Sequence, residues 1–292
     1  MLSTKTIDRI TRLKYEYEQL KPGKESLIAL IDESELAEQV YNSNAIENST
    51  LTLKETERIL LEQQVMRDVS VRELFEAKNL ARVVEYLRTR SAERLTIEGI
   101  TLLHQMLLGA INDDFAGHLR RPGEYVRVGS YIAPPPERVA ELLQDALNVY
   151  ESSHNEFFIE RIARFHLEFE RIHPFCDGNG RMGRLLINLQ MAQEGFPPVI
   201  VRNKSKRTDY YPLFRQFEKD GDCSGMAQML ALALQESLHK RLAYLKGLDI
   251  VRLTNYARAQ YRPTNTLLNA ARRQTIPAFR EREVWMIGAQ KD

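Results

Sequence analysis

A stretch of twelve residues near the middle of the chain, His173–Arg184, combines the residue types that nucleotide chemistry needs. It holds an imidazole, a carboxylate, a Gly-Asn-Gly turn and two arginines. An unperturbed histidine titrates near pH ~6.5 and can therefore accept a proton at neutral pH. A glycine-rich turn that opens a helix exposes backbone amides, which bind phosphate together with the positive helix end. The stretch predicts a nucleotide phosphate site with its own base.

The charged residues of this stretch suit a polyphosphate bound with a metal ion. Arg181 and Arg184 are three residues apart, so on a helix they face the same way and can both contact phosphate oxygens. Asp177 would repel phosphate unless a divalent cation lies between them. Carboxylate and phosphate oxygens together are the usual environment of magnesium, so Asp177 is the predicted metal ligand.

Apolar residues recur at helical spacing on both sides of the stretch. They are Phe158, Ile162, Phe165, Phe169 and Ile172 before it, and Leu185, Leu186, Leu189 and Ala192 after it. The stretch is therefore predicted to join two helices, with Phe175 as an apolar anchor of the loop and His104 as a structural histidine. Each polar residue alone would also fit an ordinary solvated connection between helices, but their combination favours the nucleotide site.

The stretch resembles the signature of the Fic family, His-x-Phe-x-(Asp/Glu)-Gly-Asn-Gly-Arg-x-x-Arg, and all eight specified positions match. The resemblance implies an all-α catalytic core that transfers AMP from ATP, bound with Mg2+, to a Ser, Thr or Tyr hydroxyl of a target protein. The catalytic residues it implies are His173, Asp177, Asn179 and Arg181. The nucleotide contacts it implies along the stretch are Gly178, Asn179, Gly180, Arg181, Met182, Gly183 and Arg184.

A second segment, N-terminal to the signature, ends an apolar stripe with a carboxylate. Leu36 and Val40 lie on one predicted helix face, which continues by steps of three and four to Ser43 and Glu47. A carboxylate there needs a cationic partner, because an unpaired buried charge is costly. The segment resembles the Fic inhibitory motif, (Ser/Thr)-x-x-x-Glu-(Gly/Asn), which implies autoinhibition by Glu47 with Ser43, and Arg184 is the expected partner. A solvated or capping glutamate is the alternative.

Residues 119–136 interrupt the helical pattern and are predicted to form a short β-hairpin, since their glycines and prolines disfavour a long strand. The place of this segment ahead of the signature is similar to the Fic flap. That implies nucleotide contacts by Arg127, Val128 and Gly129, and a target segment added as a further strand. A plain connector is the alternative. Tyr211 lies in a segment similar to the border of the base pocket and is expected either to contact adenosine or to belong to the core.

Composition places the chain among ordinary soluble proteins. It has 292 residues, of which 43% are hydrophobic and 28% charged. Two cysteines are too few for a disulfide framework and match no zinc spacing. Without a long apolar run or a signal-peptide pattern, the expectation is a cytoplasmic protein that does not contact membranes.

The C-terminal tail is basic. Residues 240–292 hold 11 Lys/Arg against 4 Asp/Glu, a net charge of +7, whereas the rest holds 30 against 36, a net charge of −6. Predicted helices capped by Thr254 and Thr264, followed by a hairpin that turns at Arg280–Glu283, resemble a winged helix of the excisionase type. The resemblance implies DNA contact through residues 250–292, and a protein-interaction module is the alternative. The expected basic contacts are Arg272 and Arg273 on the second helix, and Arg280 or Arg282 on the wing.

The predicted architecture is an all-α Fic core with a short hairpin flap and a C-terminal winged-helix-like domain. Its parts are an N-terminal helical segment (1–95) with the inhibitory helix at about 33–47, the catalytic core (96–238) and the winged-helix-like domain (245–292). Further helices are predicted at 5–20, twice within 51–90, and from Thr96 as cap to Leu108. Two other functions stay open: a DNA-binding regulator with a silenced Fic domain, and transfer of another nucleotide such as UMP. A homodimer is compatible with the sequence.

Overall fold

The computed structural model describes residues 1–64, 69–90, 93–129 and 131–290. These residues are mostly helical, which confirms the predicted all-α class. The α-helices are α1 (Thr4–Leu20), α2 (Glu25–Ile46), α3 (Leu53–Glu57), α4 (Val71–Arg88), α5 (Ile97–Leu108), α6 (Val139–Ser152), α7 (Phe158–Ile172), α8 (Asn179–Gln193), α9 (Tyr211–Asp220), α10 (Ser224–Leu245), α11 (Leu253–Ala259) and α12 (Thr264–Arg272). The strands are β1 (Arg127–Val128), β2 (Tyr131–Ile132), β3 (Asp249–Arg252), β4 (Ala278–Glu281) and β5 (Val284–Ala289).

Contacts between residues divide the chain into two compact units. The first consists of Met1, Leu36–Gly195 and Ile200–Ala227. The second consists of Leu2–Glu35, Phe196–Val199 and Gln228–Asp292. The predicted domain boundaries after residues 95 and 238 stay predictions.

Local sequence signals explain where several helices begin and end. The Thr96 hydroxyl accepts a hydrogen bond from the Gly99 amide at 3.1 Å, and Gly109 follows the last residue of α5, as predicted. The N-terminus of α2 was predicted wrongly, since this helix begins at Glu25 and not near residue 33. Steps of three and four residues back from Leu36 reach Glu33 and Asp32, so the apolar stripe from which the helix was predicted is interrupted there.

The core of the first unit lies around α7 and α8, which pack against each other, with α4, α5 and α6 beside them. Phe169 on α7, Met182 on α8 and Leu107 on α5 are fully buried there. Burying a side chain of this size stabilises the fold by about 1.5–3 kcal/mol relative to exposing it. The signature is therefore held by two helices, α7 before its loop and α8 after it, that pack into one apolar core.

The hairpin predicted within 119–136 is present and short. β1 and β2 pair antiparallel, with Arg127 opposite Ile132 and Val128 opposite Tyr131. Ser130, which the predicted strand alternation included, lies outside the described residues.

The second unit contains a three-stranded sheet in the order β3-β5-β4, and β3 was not predicted. Because β3 runs to Arg252, that residue and not Thr254 stands at the N-cap position of α11, and Pro263 stands at that of α12, where Thr264 was predicted. Neither side chain makes a capping hydrogen bond. The hairpin between β4 and β5 turns on Arg282 and Glu283, whose φ angles are 47° and 67°, so its loop is shorter than predicted. The likeness of this unit to a winged helix stays a prediction.

None of the helices in the described ranges is long and apolar enough to cross a membrane.

Candidate active site

The signature loop leaves α7 through an unusual backbone conformation at His173. Its φ of 51° is left-handed, and its amide donates to the Phe169 carbonyl at 2.9 Å. Positive φ is uncommon for a residue other than glycine and often marks a functional site. The loop enters α8 at Gly178, whose φ of 80° suits glycine, and a Cβ there would lie 3.0 Å from Leu108 Cδ2.

Asn179 holds the loop closed from within. Its Oδ1 accepts from the Phe175 amide at 2.9 Å, and its Nδ2 donates to the Phe175 carbonyl at 2.8 Å. Phe175 is fully buried, as expected of an apolar anchor. Both polar atoms of the Asn179 side chain are thus bonded within the loop. The backbone amide of Asn179 is therefore the group that is expected to bind phosphate.

His104 supports the loop from α5. Its ring stacks on Phe175 with the centroids 3.7 Å apart. Nδ1 accepts from the Gly117 amide at 3.1 Å, which leaves Nε2 to donate to the Asp177 carbonyl at 3.0 Å. Burial lowers the pKa of His104 to about 4, so the ring is neutral. This is the structural role that was predicted.

Arg120 is a support of the site that sequence reasoning missed. Its Nε donates to the His173 carbonyl at 2.8 Å, and its Nη2 donates to the carbonyls of Pro134 at 2.7 Å and Ile172 at 3.2 Å. The side chain is almost fully buried. It lies 53 positions from His173 in an irregular segment, where no periodicity marks it.

His173 is placed to accept a proton at one nitrogen. Its Nδ1 lies 3.3 Å from the Glu170 carbonyl, which can only accept, so Nδ1 carries the hydrogen and Nε2 is the acceptor. Within the described ranges Nε2 has no hydrogen-bond partner. Burial lowers the pKa of His173 to about 4, against the opposing effect of the Glu170 hydrogen bond. The imidazole is therefore neutral at neutral pH.

Asp177 is surrounded by cations. Its carboxylate accepts from Arg72 Nη2 at 2.5 Å, from the Gly178 amide at 2.6 Å and from Arg181 Nη2 at 3.4 Å. Burial alone would raise the pKa of Asp177, but Arg181 and Arg72 hold it below its usual value. Arg181 is also buried, with its Nη1 3.0 Å from the Glu76 carboxylate. Asp177 is thus ionised at neutral pH, as a metal ligand must be.

The described residues contain no group of three or more His, Cys, Asp or Glu side chains that could hold a metal ion. A magnesium ion at Asp177 would therefore take its other ligands from phosphate oxygens and water, which is its common mode of binding. An ionised Asp177 beside the phosphate-binding turn fits that mode.

The segment at the end of α2 contacts Arg184, the second arginine of the signature. Arg184 Nη2 donates to Glu47 Oε1 at 2.8 Å and to the Ser43 carbonyl at 2.9 Å, and Nε donates to Ser43 Oγ at 3.0 Å. Burial acts to lower the pKa of Arg184, but Glu47 together with Tyr210 and Glu170 outweighs this effect, so the pKa is raised. The structure thus brings together the residues that the sequence had paired.

Glu47 also lies against the first turn of α8. A Cβ added to Gly180 would overlap the Glu47 carboxylate and approach Arg184 Nη1 to 3.2 Å. The carboxylate therefore occupies space beside backbone amides at a helix N-terminus, where an anion is favoured.

Two residues that follow α8 in the chain donate hydrogen bonds to the C-terminal end of α2. Lys206 Nζ donates to the carbonyls of Ala45 and Ile46, both at 2.8 Å. The Tyr211 hydroxyl donates to the Ile46 carbonyl at 2.9 Å. A lysine that satisfies the last carbonyls of a helix is a common cap, but nothing in the sequence near Lys206 indicates its distant partner. Tyr211 thus contacts the predicted inhibitory segment besides bordering the site.

A cavity of about 630 Å³ joins these segments. Its lining includes the predicted residues Glu47, Arg127, Val128, Gly129, His173, Gly180, Arg184 and Tyr211. Its other walls include Tyr131, Leu167, Glu170, Tyr210, Phe214, Phe217 and Glu218. A lining that combines aromatic side chains, arginines and the first turn of a helix suits a nucleotide. The cavity lining does not include the predicted residues Asp177, Gly178, Asn179, Arg181, Met182 and Gly183. Of these, Arg181 is paired with Glu76 and Asp177, the Met182 side chain is in the apolar core, and Gly183 packs against Glu170.

The basic residues predicted to contact DNA are distributed over the second unit. Arg272 and Arg273 are exposed at the end of α12, and Arg282 lies in the turn before β5. Arg280, on β4, pairs with the Glu236 carboxylate at 2.6 Å. Its charge is thereby neutralised within the unit, and the DNA contact stays a prediction.

Comparison with known proteins agrees with this site. Residues 94–191 match the Fic/DOC family. A protein adenylyltransferase Fic from Drosophila melanogaster is 31% identical over 205 residues, 69% of this chain and 41% of that protein. A similar protein from Drosophila willistoni is 33% identical over 207 residues, 69% of this chain and 40% of that protein. The chain thus spans about two fifths of the length of the curated relatives it matches.

Solved structures share the fold. A Fic-domain-containing signaling protein from Bacteroides thetaiotaomicron has a TM-score of 0.73 at 22% identity, over 82% of this chain and 97% of that one. Fic-1 from C. elegans has a TM-score of 0.71 at 29% identity, over 82% of this chain and 70% of that one. The complete signature, its helix–loop–helix setting and these likenesses show that the chain belongs to the Fic/DOC family.

Proposed function

We propose that the protein is an adenylyltransferase, which transfers AMP from ATP to a hydroxyl of a target protein. The observation that carries the proposal is His173, a neutral imidazole whose Nε2 has no hydrogen-bond partner among the described residues. It lies on a cavity that Gly180, in the first turn of α8, and Arg184 also line. Relatives that match 69% of this chain are themselves named protein adenylyltransferases.

The reaction would be an in-line transfer. The backbone amides of Gly178–Gly180, with Arg181 and Arg184, would hold the phosphates, because fixed donors stabilise the charge that develops on them. His173 Nε2 takes the proton of the target hydroxyl while the hydroxyl oxygen bonds to the α-phosphorus of ATP. The bond to the bridging oxygen breaks and pyrophosphate leaves. Asp177 would hold Mg2+, which neutralises phosphate charge when bound.

The target would dock on the hairpin of β1 and β2. Ile132 is 71% exposed and Tyr125 is 62% exposed, so this edge presents apolar side chains to solvent. An extended segment that pairs with such an edge gains main-chain hydrogen bonds and places its own side chains alternately. A hydroxyl residue of that segment would then point towards His173.

Glu47 would inhibit the enzyme by holding Arg184. The pair occupies the side of the cavity where the terminal phosphate should bind, and the Glu47 carboxylate lies against Gly180. ATP could still enter, but with its phosphates displaced. A misplacement of about 1 Å can lower the rate on the order of a hundredfold.

Labelled nucleotides test the reaction class. The protein is incubated with cell extract and magnesium, with ATP labelled at the α-phosphate or at the γ-phosphate, and proteins are separated on a gel. Label should transfer from the α-position only. Transfer from the γ-position would indicate a kinase-like reaction, and stronger transfer from α-labelled UTP would indicate another nucleotide.

A further inference from the structure

Helix α7 brings a second ionisable side chain to the cavity, Glu170, and the reaction described above does not use it. Its side chain is only 11% exposed, and its Oε2 lies 4.0 Å from His173 Nδ1. Oε1 is buried and has no hydrogen-bond partner within the described part of the chain. A buried polar atom without a partner is destabilising, so its presence beside the base calls for a physical reason.

The position of Glu170 depends on a glycine in the signature. A Cβ added to Gly183 would overlap Glu170 Oε1 and lie 2.9 Å from His166 Nδ1. Only glycine at that position of α8 lets the carboxyl approach this closely. The charged and titratable groups that face Glu170 from the surrounding elements are Arg184, Glu47, His166, His173, Tyr131, Tyr210 and Tyr211.

The pKa values of Glu170 and His173 stand in the reverse order of those of free side chains, with the carboxyl group above the imidazole. Burial raises the pKa of Glu170 to about 8, although Arg184 acts to lower it and Glu47 adds to the rise. Burial lowers the pKa of His173 to about 4. A base with so low a pKa binds an incoming proton weakly, and an opposite charge within ~4–6 Å strengthens such binding by roughly one to three pKa units.

We propose that Glu170 is a positioning residue for the base: its carboxylate stabilises the imidazolium that His173 forms on taking the proton of the target hydroxyl. The inference rests on the adenylyl transfer proposed above. No proton needs to pass between the two side chains. Glu170 releases its own proton to solvent. His173 Nδ1 keeps its hydrogen and its hydrogen bond to the Glu170 backbone carbonyl, and Nε2 gains the proton of the target hydroxyl.

The kinetic test compares Glu170→Gln with the parent chain at saturating ATP and magnesium, from pH 6 to pH 9, in the Glu47→Gly background. Above pH 8 the parent should be about tenfold faster than the variant, and the two rates should converge as the pH falls. The expected loss is in the rate at saturating ATP, with the KM for ATP unchanged, because the carboxylate is proposed to act on the His173 ring. Glu168→Gln is the control, since that carboxylate lies on the same helix and bonds to Arg171 at 2.7 Å.

A conservative variant separates charge from packing. Glu170→Asp keeps the carboxylate one methylene further from the ring and should retain part of the rise with pH. A ratio between the parent and Glu170→Gln that does not change with pH, or the same loss in Glu170→Asp and Glu170→Gln, would overturn the inference.

A second measurement requires no turnover. The ring resonances of His173, followed by NMR in the isotope-labelled full chain, should shift with a midpoint near pH 8 as Glu170 ionises. That step should be absent from Glu170→Gln and unchanged in Glu168→Gln. Absence of the step from the parent, or its survival in Glu170→Gln, would contradict the inference. If the step is present but no AMP is transferred, the proposed reaction fails while the coupling stands.

Discussion

Replacing Glu47 by glycine should activate the enzyme, and the size of the effect follows from the geometry of its pair with Arg184. The two side chains meet at 2.8 Å, with Arg184 7% exposed and Glu47 41% exposed. Unit charges 4 Å apart interact by about 4 kcal/mol at an effective dielectric constant near 20. Because Glu47 is partly exposed, solvent screens the pair and reduces its net interaction energy to about 1–2 kcal/mol. Releasing Arg184 and restoring the phosphate position should therefore raise the rate about 5- to 30-fold, since about 1.4 kcal/mol corresponds to a factor of ten.

The fold should tolerate this change. Glu47 lies just beyond the last residue of α2, where a glycine costs under about 1 kcal/mol. Arg184 keeps both of its hydrogen bonds to Ser43. A loss of about 1–2 kcal/mol in total would lower the melting temperature by only a few degrees in a chain of this size.

The assay measures initial rates of AMP transfer at saturating ATP and magnesium. Glu33→Gly is the matched control, because it places a glycine at an exposed position inside α2, away from Arg184. The control should keep the parent rate, and Arg184→Ala should not imitate activation because it removes a phosphate donor. An unchanged or reduced rate in a Glu47→Gly protein that melts normally would refute the inhibitory role.

Three further predictions concern the surroundings of the site. Asp177→Ala should lose activity, and raised magnesium should restore part of it. The activity lost in Arg181→Ala should not be restored in this way. Equal rescue of both variants in a magnesium titration would show that the metal and phosphate roles are assigned wrongly. Lys206→Ala removes two hydrogen bonds to the end of α2 and should raise AMP transfer a few-fold, less than Glu47→Gly does; a lower rate would show that the cap supports the active form. Glu170→Gln should stabilise the protein at pH 8 by about 2 kcal/mol or more and far less at pH 5, as thermal melts at both values can check.

The sign of the last effect follows from the two states of the carboxyl. Unfolded, Glu170 releases its proton near its ordinary pKa of ~4.3, but folded it keeps the proton until about pH 8. The folded state therefore binds more protons between these values, and stability falls as the pH rises through that window. The neutral amide of Glu170→Gln is free of this penalty, so an equal melting temperature at pH 8 would argue against the buried carboxyl.

Features with a local physical signal were predictable from the sequence. The apolar stripes of α7 and α8 and the Thr96 cap depend on neighbours within one or two helical turns. The meeting of Glu47 with Arg184 was also expected, because an apolar stripe that ends in a carboxylate needs a cation and the signature offered one.

Features that depend on distant contacts were not predictable. Arg120 and Lys206 act by donating to carbonyls 53 and 160 positions away, and an isolated basic residue gives no indication of such a partner. β3 is short and pairs with β5, so its strand character comes from a partner more than thirty positions later. The burial of Glu170 against Gly183 likewise becomes visible only when α7 and α8 are packed together.

The most direct test of the central claim is the transfer of label from α-labelled ATP to protein by the Glu47→Gly chain, compared with the same chain carrying His173→Ala. If Nε2 of His173 is the base, the second substitution should lower the initial rate about 100- to 10,000-fold, with the melting temperature and ATP binding nearly unchanged. Labelling at the same rate in both proteins would contradict the assignment of this site as an adenylyltransferase centre with His173 as its base.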